Sequence, residues 1–94
     1  MTPLEKEIEA KLVKLVRHRG GLCLKWVGPG WAGVPDRIIL LPRGRVVFVE
    51  LKRPKGGELS SRQKWWARKL SALGFRYWTI WSWNDLDEFE EVVL

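Results

Sequence analysis

Two apolar runs within residues 36–52 are separated by a Pro-Arg-Gly triplet at residues 42–44. β-Branched and aliphatic residues on both sides of a short turn are typical of a β-hairpin. If the triplet is the loop, Leu41 pairs with Arg45 and, counting outward, Asp36 lies opposite Glu50. The second strand is apolar on both faces, which predicts a central strand that is covered on both sides.

Helical periodicity marks three other segments. A helix starts at Thr2, a predicted N-cap with Glu5 at capping-box spacing, and ends at Gly20-Gly21. A second helix opens at Ser60 and stops at Gly74, and a short acidic C-terminal helix follows a turn at residues 82–85. The stripes predicted to be buried are Leu4, Ile8, Leu12, Leu15 and Val16, then Trp66, Leu70 and Leu73, then Leu86, Phe89 and Val93.

Residues 22–27 and 75–81 complete the pattern as two further strands, which gives the order α-β-β-β-α-β-α. A chain of 94 residues is expected to form one domain, residues 1–94, around one modest core. No segment approaches the roughly 20 apolar residues of a membrane span, and the charged N-terminus does not resemble a signal peptide.

Cysteine and histidine are each present once, and this limits the chemistry. The single Cys23 excludes an internal disulfide and a cysteine-rich zinc site, and it favours a reducing compartment. His18 alone is a weak basis for a histidine metal site or a Ser-His-Asp triad, and we expect it to be a solvated helix residue.

Charge separates the C-terminus from the rest of the chain. The net charge is +6, but residues 1–84 hold all 17 Lys and Arg and only six of the 11 acidic residues. Such a basic surface favours a polyanion, with nucleic acid as the leading candidate, although many basic proteins simply have a solvated surface. We expect contacts to nucleic acid from Lys25, Trp31, Arg37, Arg53, Lys55, Ser60, Arg62, Gln63 and Lys64.

Trp31 lies in a Gly- and Pro-rich loop, residues 28–35, that leads into Asp36. Such a loop allows a nucleic-acid backbone to come close, and an indole can stack on a base. The alternative, which the local pattern slightly favours, is that Trp31 caps the core.

Charged residues converge at the open end of the hairpin. Asp36 and Glu50, if directly opposed, repel each other unless a positive group lies between them. Lys52 is two residues beyond Glu50 and so projects from the same face. The alternative is a simple Glu50–Lys52 ion pair at a strand end, with Asp36 as a turn residue, and a register shift of one residue would separate the two acids.

Two helix residues have both a structural and a functional interpretation. Glu9 borders the buried face of the first helix, where it can point over the sheet edge, but an exposed glutamate paired with a lysine is the simpler interpretation. Gln63 has capping-box spacing from Ser60.

The segments Gly33-Val34-Pro35-Asp36 and Val49-Glu50-Leu51-Lys52, followed by Gln63, resemble the PD-(D/E)XK nuclease superfamily. The resemblance is to its VRR-NUC branch, in the small stand-alone form of phages and bacteria. It implies an α/β fold with a restriction-endonuclease-like αβββαβ core, a mixed four-stranded sheet flanked by helices, and a short C-terminal helix.

The resemblance also implies roles for individual residues. Asp36, Glu50 and the Leu51 carbonyl match the metal ligands, and Glu9 resembles the helix-1 acid, with Glu5 as the less favoured candidate. Lys52 matches the catalytic lysine, and Gln63 matches a glutamine that follows it. Oxygen ligands of this kind suit Mg²⁺ or Mn²⁺.

These roles predict a metal-dependent DNA endonuclease in the cytoplasm of a bacterial or phage-infected cell. Branched DNA such as a four-way junction is the expected substrate, because a homodimer brings two sites together. Seven Trp residues in so small a chain also favour a dimer. The alternatives are a non-catalytic nucleic-acid-binding module on the same fold and, less favoured, a protein-interaction module that uses its Trp-rich surface.

Overall fold

The computed structural model describes residues 3–53 and 57–94, without the side chains of Pro3 and Leu4. Three predictions lie outside the described residues: Thr2 as the N-cap of the first helix, Leu4 in its buried stripe, and Lys55 as a contact to nucleic acid.

The described residues form a four-stranded sheet and three α-helices. The strands lie in the order β1-β2-β3-β4; the first three are antiparallel, and β4 runs parallel to β3. This arrangement confirms the predicted element order and the α/β fold class. In chain order the elements are α1 (Pro3–His18), β1 (Leu22–Lys25), β2 (Arg37–Leu41), β3 (Arg45–Leu51), α2 (Ser61–Ala72), β4 (Arg76–Ile80) and α3 (Trp83–Val93).

The β2–β3 hairpin has the register that its loop length predicts. Leu41 pairs with Arg45 and Arg37 pairs with Val49, so the next positions outward are Asp36 and Glu50. The loop is a single 3₁₀ turn, Pro42–Gly44, in which Arg43 has a φ of 67° and Gly44 a φ of 71°. A positive φ is strained for a non-glycine residue such as Arg43. The register that this turn sets places Asp36 and Glu50 at the open end of the hairpin.

Helices cover both faces of the sheet. α1 and α3 pack on one face, where the buried side chains form the main core, while α2 lies against the other face beside Phe48. β3 is buried from Val47 to Leu51, as predicted for a central strand. The main core consists of Ile8, Leu12 and Val16 of α1, Leu86, Phe89 and Val93 of α3, and Ile39, Leu41, Val47, Val49, Leu51 and Ile80 of the sheet.

The structure differs from the prediction at the ends of two strands and at one residue of a buried stripe. β1 ends at Lys25 rather than at Val27, which is 76% exposed, because the chain leaves the sheet toward the Gly-Pro loop. β4 is Arg76–Ile80, one residue shorter at each end than predicted. Leu73 is 61% exposed instead of buried, because it is the C-cap residue after the last turn of α2.

The turn predicted at residues 82–85 is the first turn of α3. Ser82 is the N-cap, and its Oγ accepts a hydrogen bond from the Asp85 backbone N–H at 3.2 Å. The Asp85 carboxylate accepts one from the Trp81 N–H at 2.8 Å. These bonds satisfy N–H groups at the start of the helix, so α3 begins at Trp83.

The acidic helix α3 docks on basic residues of the same chain. Arg19 lies 3.6 Å from Glu90, and its guanidinium donates to the Leu94 carbonyl at 2.6 Å. Arg45 donates to the Val93 carbonyl at 3.0 Å. Cations at a helix C-terminus interact favourably with its exposed carbonyls, so part of the acidic charge is neutralised within the fold. Among the described residues, no helix has the length and apolar character needed to cross a membrane.

Candidate active site

An open cavity of about 660 Å³ lies at the sheet edge where β3 ends. Its walls come from the open end of the hairpin, the start of α1, the start of α2 and the segment that precedes α2. Four of its residues are acidic and two are basic; the lining consists of Glu5, Asp36, Glu50, Leu51, Lys52, Arg53, Gly57, Glu58 and Gln63.

Glu50 is the buried charged residue of the described chain, with 2% of its surface exposed. Its Oε2 accepts a hydrogen bond from Gln63 Nε2 at 3.0 Å, but its Oε1 is buried without a hydrogen-bond partner among the described residues. Burial, and then the nearby charge of Asp36, raise the pKa of Glu50 to about 8, while Lys52 opposes the shift. A carboxylate in this state is costly to ionise without a cation.

Asp36 is held next to Glu50 by the backbone. Its Oδ2 accepts the backbone N–H of Leu51 at 2.8 Å, across the hairpin. Its own carbonyl accepts the N–H of Trp26 at 3.1 Å, which ties the position to the end of β1. The residue before it, Pro35, is fully buried and has a restricted φ, so the chain enters β2 at Arg37 from a fixed direction.

Gln63 combines the two interpretations that its sequence spacing left open. Its backbone N–H donates to Ser60 Oγ at 3.1 Å, and its Oε1 accepts the Ser60 N–H at 2.8 Å, so the predicted capping box is present. The other end of the same amide, Nε2, donates to Glu50. The N-terminus of α2 therefore orients one carboxylate of the site.

Lys52 follows the last residue of β3, and its side chain reaches back to Glu50. Its backbone N–H donates to the Ile80 carbonyl at 3.0 Å, which continues the pairing with β4. Its Nζ lies 4.0 Å from Glu50 Oε2, and its side chain is 20% exposed. The cation is therefore partly buried beside the acids yet still open to the cavity.

The two candidate acids of α1, Glu9 and Glu5, occupy different positions. Glu9 Oε2 forms an ion pair with Arg37 Nε at 2.9 Å, and Arg37 also donates to the Cys23 carbonyl at 3.0 Å. Glu5, one turn earlier, lines both the 660 Å³ cavity and a smaller one of about 200 Å³, whereas Glu9 lines only the smaller of the two. Asp36 and Leu51 line both cavities. Of the two acids, Glu5 is the one that shares the larger cavity with Glu50 and Lys52, and the metal role of either acid stays a prediction. Arg37 is partly buried in its pair with Glu9, and its contact to nucleic acid also stays a prediction.

The remaining candidates for nucleic-acid contacts surround the cavity. Arg53 and Gln63 line the cavity, Lys25 lines the smaller one, and Ser60, Arg62 and Lys64 are exposed at the start of α2. Their roles stay predictions.

The position of Trp31 contradicts the interpretation that it caps the core. Its side chain is 64% exposed and meets the ring of Trp66 at a centroid distance of 5.9 Å. The loop that carries it lies on α2, outside the main core.

Glu58 and Tyr77 were missed by the sequence reasoning. Glu58 lines the cavity from the segment before α2. Tyr77 is half-buried, and burial, followed by the negative charge of Glu50, raises its pKa to about 12. The signal that the sequence held for Tyr77 was that it shares a strand face with Thr79, and the structure shows that Thr79 pairs with Glu50. Glu58 had none, since it belongs to no periodic segment.

The donor set fits a hard divalent cation. Two carboxylates face each other at the cavity, and one buried oxygen of Glu50 has no donor among the described residues. Within that part of the chain, no group of three His, Cys, Asp or Glu side chains could hold a metal ion. Mg²⁺ is commonly held by one or two carboxylates and keeps several waters, so Asp36 and Glu50 suffice as its charged ligands.

Gly33 fixes the loop of residues 28–35 against the start of α2. It has a φ of 82°, and a Cβ at this position would lie 2.5 Å from the Arg62 Cβ and 2.8 Å from the Arg62 carbonyl carbon. We expect Gly33→Ala to lower the free energy of unfolding by about 2–4 kcal/mol, because strain and overcrowding add. Urea denaturation checks this, with Gly30→Ala, where the positive φ is present but the space is open, as the control.

Comparison with known proteins supports the fold. No family model matches the chain. Over 50 residues, 53% of this chain, it is 52% identical to "Putative nuclease p44" of Acyrthosiphon pisum secondary endosymbiont phage 1, and the match spans 54% of that protein, about half its length. A solved structure described as a VRR_NUC domain superposes with a TM-score of 0.90 over 99% of this chain and 100% of its own, at 24% identity. The chain has the VRR_NUC fold, as the sequence motifs predicted.

Proposed function

From the VRR_NUC fold of this chain, we propose that the protein is a metal-dependent nuclease that hydrolyses phosphodiester bonds in DNA. The observation that carries the proposal is the buried Glu50 carboxylate, which has one oxygen without a hydrogen-bond donor among the described residues. It lies beside Asp36 and the Lys52 ammonium in an open cavity. A purely structural ion pair would not require the second acid or the opening to solvent.

Asp36, Glu50 and the Leu51 carbonyl would hold Mg²⁺ or Mn²⁺. When bound, the metal would polarise the scissile phosphate and lower the pKa of a coordinated water. Asp36 and Glu50 therefore supply the negative charge, and Gln63 holds Glu50 in its orientation through the 3.0 Å hydrogen bond.

Lys52 would act on the reacting groups directly. Its ammonium can donate hydrogen bonds to the attacking water and to the phosphate oxygens, where negative charge grows in the transition state. Because the site is partly buried, such a charge interaction is stronger than it is in bulk water. The basic residues Arg53, Arg62 and Lys64 would hold the flanking phosphates.

The test is cleavage of labelled single-stranded, duplex, flap and four-way-junction DNA, each with Mg²⁺, Mn²⁺ or EDTA. We expect cutting with either metal and none with EDTA, with the branched substrates preferred. Tight binding without cutting under any metal would contradict the nuclease proposal and favour the binding module.

We also propose that the protein acts as a homodimer, since two incisions in a branched substrate need two sites. An apolar patch on β1 and β2 supports this: Leu22 and Leu24 are 55% and 44% exposed, and Leu40, which pairs with Leu22, is 37% exposed. Contiguous exposed apolar surface of this kind marks interfaces, and a second copy of the chain is the proposed occupant.

The dimer prediction is checked by light scattering at micromolar concentration. We expect a mass of two chains for the parent protein and of one chain for Leu24→Lys. Val92→Lys, which changes an apolar side chain on α3 that is 52% exposed, should leave the mass unchanged. A parent protein that is monomeric at this concentration contradicts the prediction.

A further inference from the structure

Trp31 is an exposed indole on a loop that contacts anchor on both sides. The Trp66 indole N–H donates to the Ala32 carbonyl at 2.9 Å. The backbone N–H of Trp31 donates to the Gly28 carbonyl, also at 2.9 Å. Two residues after Trp31, Gly33 packs directly on the start of α2. The loop is thus anchored on both sides of a side chain that is left 64% exposed.

The loop also places Trp31 near the candidate active site. A Cβ built on Gly33 would lie 3.0 Å from the backbone nitrogen of Gln63, the residue that holds Glu50. Two Cα–Cα steps of about 3.8 Å separate Trp31 from Gly33, so its Cα lies within about 12 Å of that nitrogen. This is the span of about four nucleotides at about 3.4 Å per step of a duplex strand.

The ring itself is arranged for a further stacking partner. Trp31 and Trp66 meet at an interplanar angle of 71°, so Trp66 leaves most of the Trp31 ring uncovered. Trp66 itself packs edge-on against Trp26, at a ring-centroid distance of 5.4 Å, and this contact holds the Trp66 ring in place. A rigid, solvent-exposed aromatic ring beside a basic helix start suits a nucleobase, whose neighbouring phosphate Arg62 could contact.

We propose that Trp31 stacks on an unpaired nucleobase within about four nucleotides of the cleavage site and so determines which nucleotide is placed at that site. The proposal rests on the proposed function for its substrate, DNA. It assigns to Trp31 binding and specificity, and it assigns the chemistry to other residues. Because a base inside a continuous duplex has both faces covered by its neighbours, the contact requires a base that is out of the stack.

The experiment measures DNA affinity in the Lys52→Ala background, in EDTA and at one fixed salt concentration, so that cutting does not enter. The probe is a fluorescein-labelled single-stranded oligonucleotide read by anisotropy, with a series in which one base at a time is replaced by an abasic site. We expect Trp31→Ala to weaken binding of the intact strand by about 5- to 100-fold. One abasic position should cause the same loss, and the two changes together should cost no more than either alone.

Two further variants separate stacking from a structural role. Trp31→Phe should recover most of the affinity, because it restores an aromatic face. Trp65→Ala is the control, because it removes another exposed indole that packs edge-on against Trp66 at 5.2 Å. Residue 65 lies about 200° around α2 from Gln63, so this indole is on the side of the helix away from the candidate active site. It should therefore leave DNA binding unchanged.

The result that would overturn the proposal is equal affinity of the parent and Trp31→Ala proteins across the abasic series. Additive losses from Trp31→Ala and every abasic position would overturn it as well, since the ring would then contact no particular base. Failure of the nuclease proposal is read separately, as absence of metal-dependent cutting by the protein with Lys52 intact.

Discussion

We expect Lys52→Ala to lower the rate of DNA cleavage by about 1000-fold or more at saturating metal and substrate, and to leave the DNA affinity within a few-fold of the parent value. The magnitude follows from the loss of a positioned charge that acts on the transition state, which typically costs 10²–10³-fold for one donor and more for a full charge. Affinity changes little because the Lys52 side chain is only 20% exposed and is one cation among many on a basic surface. Single-turnover cleavage gives the rate, and anisotropy in EDTA gives the affinity.

Lys69→Ala is the matched control for this experiment. Lys69 is an exposed lysine in the last turn of α2, far along the helix from Gln63, and its removal subtracts the same charge from the protein. Its cleavage rate should equal that of the parent. Undiminished cleavage by Lys52→Ala would rule out the assigned role, and an equal loss of affinity and rate would reduce Lys52 to a binding residue.

The hairpin at the centre of the site was predictable because its register depends on local information. A three-residue loop sets Leu41 opposite Arg45, and strand geometry then carries that pairing outward to Asp36 and Glu50. The position of Lys52 follows from the two-residue period of the strand. Hydrophobic periodicity likewise gave the element order, because each buried stripe belongs to a single element.

The choice between Glu5 and Glu9 could not be made from the sequence. The two residues lie one turn apart on the same side of α1, so periodicity treats them alike. Which of them reaches the cavity depends on how far α1 extends along the sheet, and that is set by the packing of Ile8, Leu12 and Val16. The partner of Glu9, Arg37, comes from β2 and is 28 residues away in sequence.

The outcome for Trp31 illustrates a second limit. Gly and Pro residues predict that residues 28–35 form a loop, but they do not predict where the loop lies. That position depends on the contact of Gly33 with α2 and on the hydrogen bond from Trp66 to Ala32, which are 29 or more residues apart in sequence. The start of α3, in contrast, could be predicted from the sequence, because Ser82 and Asp85 have the spacing of an N-cap and its partner.

Glu50→Gln is the variant expected to abolish activity and yet stabilise the metal-free protein. In the parent, the pKa of Glu50 is raised to about 8, mainly by burial and then by Asp36, whereas the unfolded chain has a value near 4.5. Between these two values the folded state keeps a proton that the unfolded state has lost. Stability of the parent therefore falls as pH rises from about 4.5 and levels off above about 8.

The neutral amide removes this penalty but leaves a side chain of the same shape that can still accept the hydrogen bond from Gln63. In EDTA we expect Glu50→Gln to be more stable than the parent by about 1–3 kcal/mol at pH 9, with the difference vanishing below about pH 4.5. Urea denaturation across this pH range measures it. Glu58→Gln, which changes an exposed acid on the same cavity, is the control and should show little change.

Added metal should reverse the ranking at neutral pH. Mg²⁺ or Mn²⁺ stabilises the parent because it binds the folded state, and the stabilisation grows with metal concentration. Glu50→Gln lacks the charged ligand and should gain almost nothing, while Glu58→Gln should respond as the parent does. Equal stabilisation of the parent and Glu50→Gln would show that any cation binds elsewhere. A cation at the proposed site would bind Glu50, whose Oε1 has no hydrogen-bond partner among the described residues.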